Sequence, residues 1–134
     1  MENTTSAANS NQENNFAGKK ILLAEDDDSM RRLLEIILQK AGFQTLTAED
    51  GLIAMQIALE NEIDAVVADA IMPNLTGYDL CRILRDKKNV PFVILSGFEQ
   101  KDSPEAENCL ADVFLTKNAG IKEDLISALE NLLR

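Results

Sequence analysis

No histidine and no tryptophan occur in this 134-residue chain. Without histidine, His-based catalytic triads, His-rich zinc sites and His-ligated haem are excluded. Aromatic residues are only 4% of the total, so a core must be built mainly from Leu, Ile, Val and Ala. Cysteine is nearly absent: Cys81 and Cys109 can supply neither a disulfide scaffold nor a four-thiolate metal site. They are expected to be reduced, semi-buried thiols in a cytoplasmic protein. No apolar run approaches the roughly 20 residues of a membrane span, and the N-terminus lacks the apolar stretch of a signal peptide. Positive charge is in the minority, with 13 Lys and Arg against 23 Asp and Glu and a net charge of −10. That sign argues against unaided binding to nucleic acid or to an anionic membrane. It suits a cation ligand or a basic protein partner.

Apolar residues make up 46% of the chain, enough to fill the core of one domain at this length. Residues 1–18 are rich in Asn, Ser and Thr, and only Phe16 offers appreciable apolar area, so they read as a disordered N-terminal extension. The folded domain is expected over residues 19–134.

From Lys19 onward, short apolar runs alternate with helical periodicity. Ile21-Leu22-Leu23-Ala24 reads as a strand buried on both faces, and it stops abruptly at Glu25-Asp26-Asp27-Asp28. Asp28 or Ser29 can then cap a helix in which Met30, Leu33, Leu34 and Ile37 share a face, with Gly42 closing it. A second strand follows over 43–48 and a second helix over 51–61. Ala65-Val66-Val67-Ala68 is a third buried strand, ending at Asp69. A third helix over about 76–85 has Thr76 as its cap, and Thr76-Gly77 is read simply as the helix start. Phe92-Val93-Ile94-Leu95 ends at Ser96-Gly97, and Val113-Phe114-Leu115-Thr116 ends at Lys117. A last helix carries Ile121, Leu125, Leu129 and Leu132 on one face. Residues 99–110 have few apolar positions and a proline, so a helix there is short or irregular. Successive strand–helix units of this kind specify an α/β domain, a doubly wound parallel sheet with helices on both faces. Strand order does not follow from the pattern. The ligand position does, beyond the C-terminal ends of the strands.

Polar residues stand at four of those ends: Glu25 and Asp26, Asp69, Ser96, and Lys117. Carboxylates brought within a few Å repel one another unless a cation intervenes. An all-oxygen donor set selects a hard ion, Mg²⁺ or Mn²⁺. Metal, Lys and hydroxyl around one Asp form a cradle for a phosphoryl group carried on that Asp.

These residues carry a resemblance. KILLAEDDDSM at 20–30 resembles the first strand and acidic pocket of response-regulator receiver domains, the phospho-accepting modules of two-component signalling. VVADAIMPNLTG at 66–77 is similar to their phosphorylation strand and following loop, ILSG at 94–97 to their hydroxyl-bearing strand, and ADVFLTK at 111–117 to the strand ending in Lys. The resemblance spans residues 19–134 and implies a flavodoxin-like five-stranded sheet of order 2-1-3-4-5. By position it implies Asp69 as phospho-acceptor and Glu25, Asp26, Asp69 and the backbone carbonyl of Ile71 as the metal site. Ser96 and Lys117 would bind phosphoryl oxygens, Phe114 would be the switch aromatic, and Gly97 would leave entry for a phosphodonor open.

The implied function is Mg²⁺-dependent acceptance of a phosphoryl group from a histidine kinase or phosphotransfer protein, switching a protein-interaction surface. The domain would act on itself alone and turn over no metabolite, so it is not an enzyme in the ordinary sense. Its target would be a downstream protein or a C-terminal effector domain missing from these 134 residues. Ile71 and Phe98 would flank the path of a hydrolytic water and make the phosphorylated state long-lived. Two departures from the family pattern stand out: Asn118 replaces the usual cis-Pro after the Lys, where a trans bond is expected, and the segment after the fourth strand is weakly helical. Both favour an alternative, a degenerate receiver acting as a phosphorylation-independent interaction module. An FMN-binding flavodoxin is disfavoured by EDDD where its phosphate loop would lie. A hydrolytic aspartyl phosphatase is disfavoured by Ile71 where its second acid would lie.

Overall fold

A computed structural model describes residues 18–97 and 109–134. The extension before Gly18, the weakly helical segment and Phe98 therefore lie outside the described residues. The elements run β1 (Lys20–Ala24), α1 (Asp28–Lys40), β2 (Gln44–Ala48), α2 (Gly51–Glu60), β3 (Ala65–Asp69), α3 (Gly77–Lys87), β4 (Phe92–Ser96), β5 (Val113–Thr116) and α4 (Ile121–Leu132). The five strands are parallel and ordered β2-β1-β3-β4-β5.

The continuous apolar runs become central strands because they must supply both faces of the sheet. Leu22, Ala24, Val66, Ala68, Phe92 and Ile94 pack under α2 and α3. Their neighbours Ile21, Leu23, Ala65, Val67, Val93 and Leu95 pack under α1 and α4. Each fully buried Leu or Ile contributes about 1.5–3 kcal/mol of transfer free energy, so a Leu22→Ala cavity would cost about 2–5 kcal/mol.

Helix boundaries agree with the sequence to within one or two residues, and one cap differs. Asp27 rather than Asp28 or Ser29 caps α1: it is extended (φ −81°, ψ 120°) and its Oδ2 accepts from Met30 N at 2.7 Å. Asp28 is already helical and accepts from Arg31 Nη2 at 2.6 Å. After α1 the chain turns through Gly42 in the left-handed region (φ 102°), which favours glycine. Thr76 caps α3 by accepting from Asp79 N at 3.1 Å. The two thiols are buried fully rather than partly. Cys81 Sγ donates to the Cys109 carbonyl at 3.1 Å, and burial first, with Cys109 beside it, pushes the Cys81 thiol up to about 12. Asp112 anchors the start of β5, accepting from Phe92 N and from Arg85 Nη2, each at 2.7 Å.

Candidate functional site

Strand order decides which residues meet. With β1, β3, β4 and β5 side by side, Glu25 and Asp26, Asp69, Ser96 and Lys117 all fall along one edge of the sheet. Strand pairing fixes the depth, Ala24 lying opposite Ala68, Asp69 opposite Leu95, and Ser96 opposite Thr116.

The consecutive acids Glu25 and Asp26 have different surroundings. Glu25 is turned inward with 1% of its surface exposed, whereas Asp26 is exposed. Glu25 Oε2 accepts from Asp27 N at 3.1 Å, and Oε1 accepts from Lys117 Nζ at 2.6 Å. Its main chain is held too: its N–H donates to Ala48 O at 3.0 Å, and its carbonyl accepts from Arg31 Nη1 at 2.9 Å. Burial is the dominant influence on its acidity and pushes it up to about 7. The hydrogen bonds from Lys117 and the Asp27 amide oppose that rise, and Asp69 adds to it.

Asp69 ends β3 and is buried. Lys117 Nζ lies 3.2 Å from its Oδ1, so the one ammonium bridges two carboxylates. Burial lowers the Lys117 pKa, but the Glu25 hydrogen bond and the Asp69 charge more than offset it, and the net shift is upward. Carboxylate oxygens of Glu25, Asp26 and Asp69 all lie within 4.8 Å of one another. Three carboxylates around one ammonium leave excess negative charge in an all-oxygen donor set. That fits a hard divalent cation, Mg²⁺ or Mn²⁺.

The backbone around Asp69 is tightly held. Ala70 N donates to Leu95 O at 2.7 Å, and Gly77 N donates to Ala70 O at 2.9 Å. A Cβ on Gly77 would run into the Asp69 carbonyl oxygen, and one on Gly51 into the backbone of Leu75. Thus the 70–76 loop is clamped at both ends by helix starts that only glycine permits. Asn74, in the left-handed region (φ 71°), donates from Nδ2 to Asp50 Oδ2 at 3.1 Å and ties the loop to the α2 cap. The Gly77 requirement was missed when Thr76-Gly77 was read as an ordinary helix start. The available signal was a glycine following a cap at a fixed distance from Asp69.

The remaining expected residues are placed as follows. Ser96 is buried at the end of β4, and its carbonyl accepts from Lys117 N at 2.7 Å. Phe114 is exposed and sits opposite Ile94, on the same sheet face as Ser96. Ile71 is 58% exposed just beyond Asp69. A Cβ on Gly97 would meet nothing within 4 Å among the described residues. The described backbone has no cis peptide bond, so Asn118 follows Lys117 in trans. Asn118 Oδ1 accepts from Gly120 N at 2.9 Å, and its carbonyl accepts from Ile121 N at 3.0 Å. The side chain that replaces the family's proline therefore organises the turn into α4, and Lys117 still reaches the acidic cluster. Beside this turn, Leu33, Ile36, Lys40, Ala119 and Lys122 line a groove of about 450 Å³ between α1 and α4.

A parallel 2-1-3-4-5 sheet with an acidic cluster and a Lys at its C-terminal edge defines the class of phospho-accepting receiver modules. Comparison with known proteins agrees: the sequence profile of the response regulator receiver domain matches residues 21–130, and the chain belongs to that family. It is 35% identical over 106 residues to the probable transcriptional regulator ycf27 of Cyanophora paradoxa, covering 78% of this chain and 44% of that protein. The chain thus spans less than half the length of such relatives. Among solved structures it resembles the response regulator TrrA of Thermotoga maritima in complex with Mg²⁺-BeF. The TM-score is 0.79 and the identity 28%, over 86% of this chain and 99% of that one. It matches chemotaxis protein CheY4 of Vibrio cholerae equally well, with TM-score 0.79 and 28% identity over 87% and 100%. Among the described residues, no helix is long and apolar enough to cross a membrane.

Proposed function

We propose that residues 19–134 act as a phosphorylation switch in which Asp69 accepts a phosphoryl group from a histidine kinase or phosphotransfer protein. The observation that carries this reading is the position of Asp69: buried at the end of β3, 3.2 Å from the Lys117 ammonium, with Ser96 ending the next strand. An Asp69 carboxylate oxygen attacks phosphorus, the bond from phosphorus to the donor nitrogen breaks, and the donor imidazole leaves with the electron pair. Lys117 then pairs with the new anionic oxygens, and Ser96 donates a hydrogen bond to one. Glu25, Asp26, Asp69 and the Ile71 carbonyl would hold Mg²⁺ (or Mn²⁺), which supplies charge neutralisation at the phosphoryl oxygens.

The added charge, about −1.5 to −2 at neutral pH, biases an existing equilibrium through Ser96 and Phe114. The groove between α1 and α4 adjoins the Lys117 turn and offers an apolar seat with Lys40 and Lys122 at its edge for the donor's helix. The output passes to a downstream protein or to an effector domain joined beyond residue 134, since DNA contact does not suit a domain of charge −10. We read the protein as cytoplasmic, turning over no metabolite.

The test is Asp69→Asn, which keeps the size of the side chain and removes the nucleophile. Acetyl phosphate with Mg²⁺ is expected to add one phosphoryl group to the wild type and none to the variant by intact mass. A stable adduct in Asp69→Asn at wild-type yield overturns the reading. So does failure of the wild type to bind beryllofluoride, which would leave the phosphorylation-independent module.

A further inference from the structure

Helix α2 carries large apolar residues on both of its sides. Its fully buried stripe is Gly51, Ala54 and Ala58, all small, and Met55 and Ile57 pack partly against the core, while Leu52, Ile53 and Leu59 face outward. Leu52 is 56% exposed, Leu59 47% and Ile53 37%. Surface helices normally place large apolar residues inward and charge outward. Here only Glu60, the last of ten residues, is charged. The small stripe lets α2 lie close to the sheet, but that does not account for Leu and Ile in water. Leu52, the half-buried Met55 and Leu59 form one apolar strip along the helix, with Gln56 beside it donating to Glu60 Oε2 at 3.4 Å, and an exposed strip of this kind marks an interaction surface.

The border of the face indicates what would cover it. Glu49 precedes the helix, Asp50 caps it, and Glu60 and Glu62 follow. Lys88 stands at the same C-terminal end, where its Nζ donates to Asn61 O at 2.7 Å. The border is therefore acidic on balance, in a protein of charge −10. A second copy would bring acid against acid, whereas a basic border on the partner would be complementary.

We propose that the outward face of α2 is a docking surface for a protein helix whose apolar stripe is bordered by Arg and Lys. The face is rigidly joined to the loop after Asp69. Asp50 accepts from Ile53 N at 2.8 Å through Oδ1 and from Asn74 through Oδ2, and Gly51 presses on Leu75. Whatever docks on α2 therefore bears on the acceptor loop, and by linkage the acceptor's state bears on docking. The docking surface itself does not depend on the chemistry at Asp69.

The test uses a synthetic helical peptide with Leu at i, i+3, i+4 and i+7 and Arg and Lys elsewhere. Its control has the same composition with the leucines spread around the helix. Titrated at physiological salt against the full ¹⁵N-labelled chain, the amphipathic peptide is expected to shift amide resonances of residues 51–60. Leu52→Gln with Leu59→Gln should weaken binding by about tenfold or more, as loss of two apolar anchors does. Leu110→Gln, exposed before β5 at the far edge of the sheet, should leave it unchanged. Circular dichroism of the double variant should match wild type, because both leucines are exposed. Equal binding of the control peptide, or shifts that map away from α2, overturns the proposal. It is also overturned if the chain alone sediments as a dimer that the double variant dissociates, since a second copy would then be the occupant.

Discussion

Lys117 is held closer to Glu25 than to Asp69: its ammonium is 2.6 Å from Glu25 Oε1 and 3.2 Å from Asp69 Oδ1. The buried glutamate thus competes for the cation that the acceptor would use. A cation that drew Glu25 toward itself would release Lys117 toward Asp69, so metal binding and activation of Asp69 would be one event.

That relationship has a pH signature. The folded protein holds the Glu25 proton more tightly than the unfolded chain, with a pKa of about 7 against 4.5. The associated stability is complete below about pH 4.5 and is lost as the pH rises toward about 7. In EDTA, wild type should therefore lose stability relative to Glu25→Gln between about pH 4.5 and about pH 7, measured by urea unfolding. Mg²⁺ affinity should rise over the same interval, as the ion displaces the proton. A difference between the two proteins that is constant with pH contradicts the assignment.

Asp26→Ala removes an exposed carboxylate and relieves repulsion among the three clustered within 4.8 Å. Mg²⁺ binding by calorimetry should disappear, while the Tm without metal stays the same or rises. Undiminished affinity would remove Asp26 from the site.

Gly77→Ala places a methyl group against the Asp69 carbonyl. The chain should lose about 1–3 kcal/mol, as overpacked sites do, and phosphorylation should slow because the acceptor backbone is displaced. Gly97→Ala meets nothing within 4 Å among the described residues and should change stability by no more than about 0.5 kcal/mol. Equal unfolding midpoints for the two variants would show that the contact yields without strain.

Ile71 stands two residues beyond Asp69 and offers no group to orient a hydrolytic water. Ile71→Asn supplies one, and should speed phosphate release severalfold after donor removal while leaving Mg²⁺ affinity unchanged. Release at the wild-type rate would mean that Ile71 does not guard the path.

The strands were legible because Ile21–Ala24, Ala65–Ala68 and Phe92–Leu95 are too uniformly apolar to face water on either side. Their polar ends named the site, and the resemblance supplied the order that gathers it. The less legible features depend on contacts distant in sequence. The sequence points to Asp28 or Ser29 as the cap of α1, whereas the cap is Asp27, whose own N–H donates to the inward-turned Glu25. Glu25 and Asp26 are neighbouring acids at one strand end, and nothing in the sequence shows that one is buried on Lys117, 92 residues away, while the other is in solvent. Asn118 read as a lost proline, and its side chain proves to hold the turn itself.

The clamped 70–76 loop also constrains the length of the chain there. Surface loops usually accept extra residues at small entropic cost. This one has no slack, since Gly77 closes against Asp69 at its start, Gly51 presses on Leu75 near its end, and Asn74 is tied to Asp50. A single glycine inserted after Pro73 should break the tie and depress the Tm, whereas one inserted at Glu62, outside the site, should be absorbed. Affinity tags, fluorophore fusions and circular permutations of this domain are therefore best directed to the connection between α2 and β3, and kept away from the one that follows the acceptor.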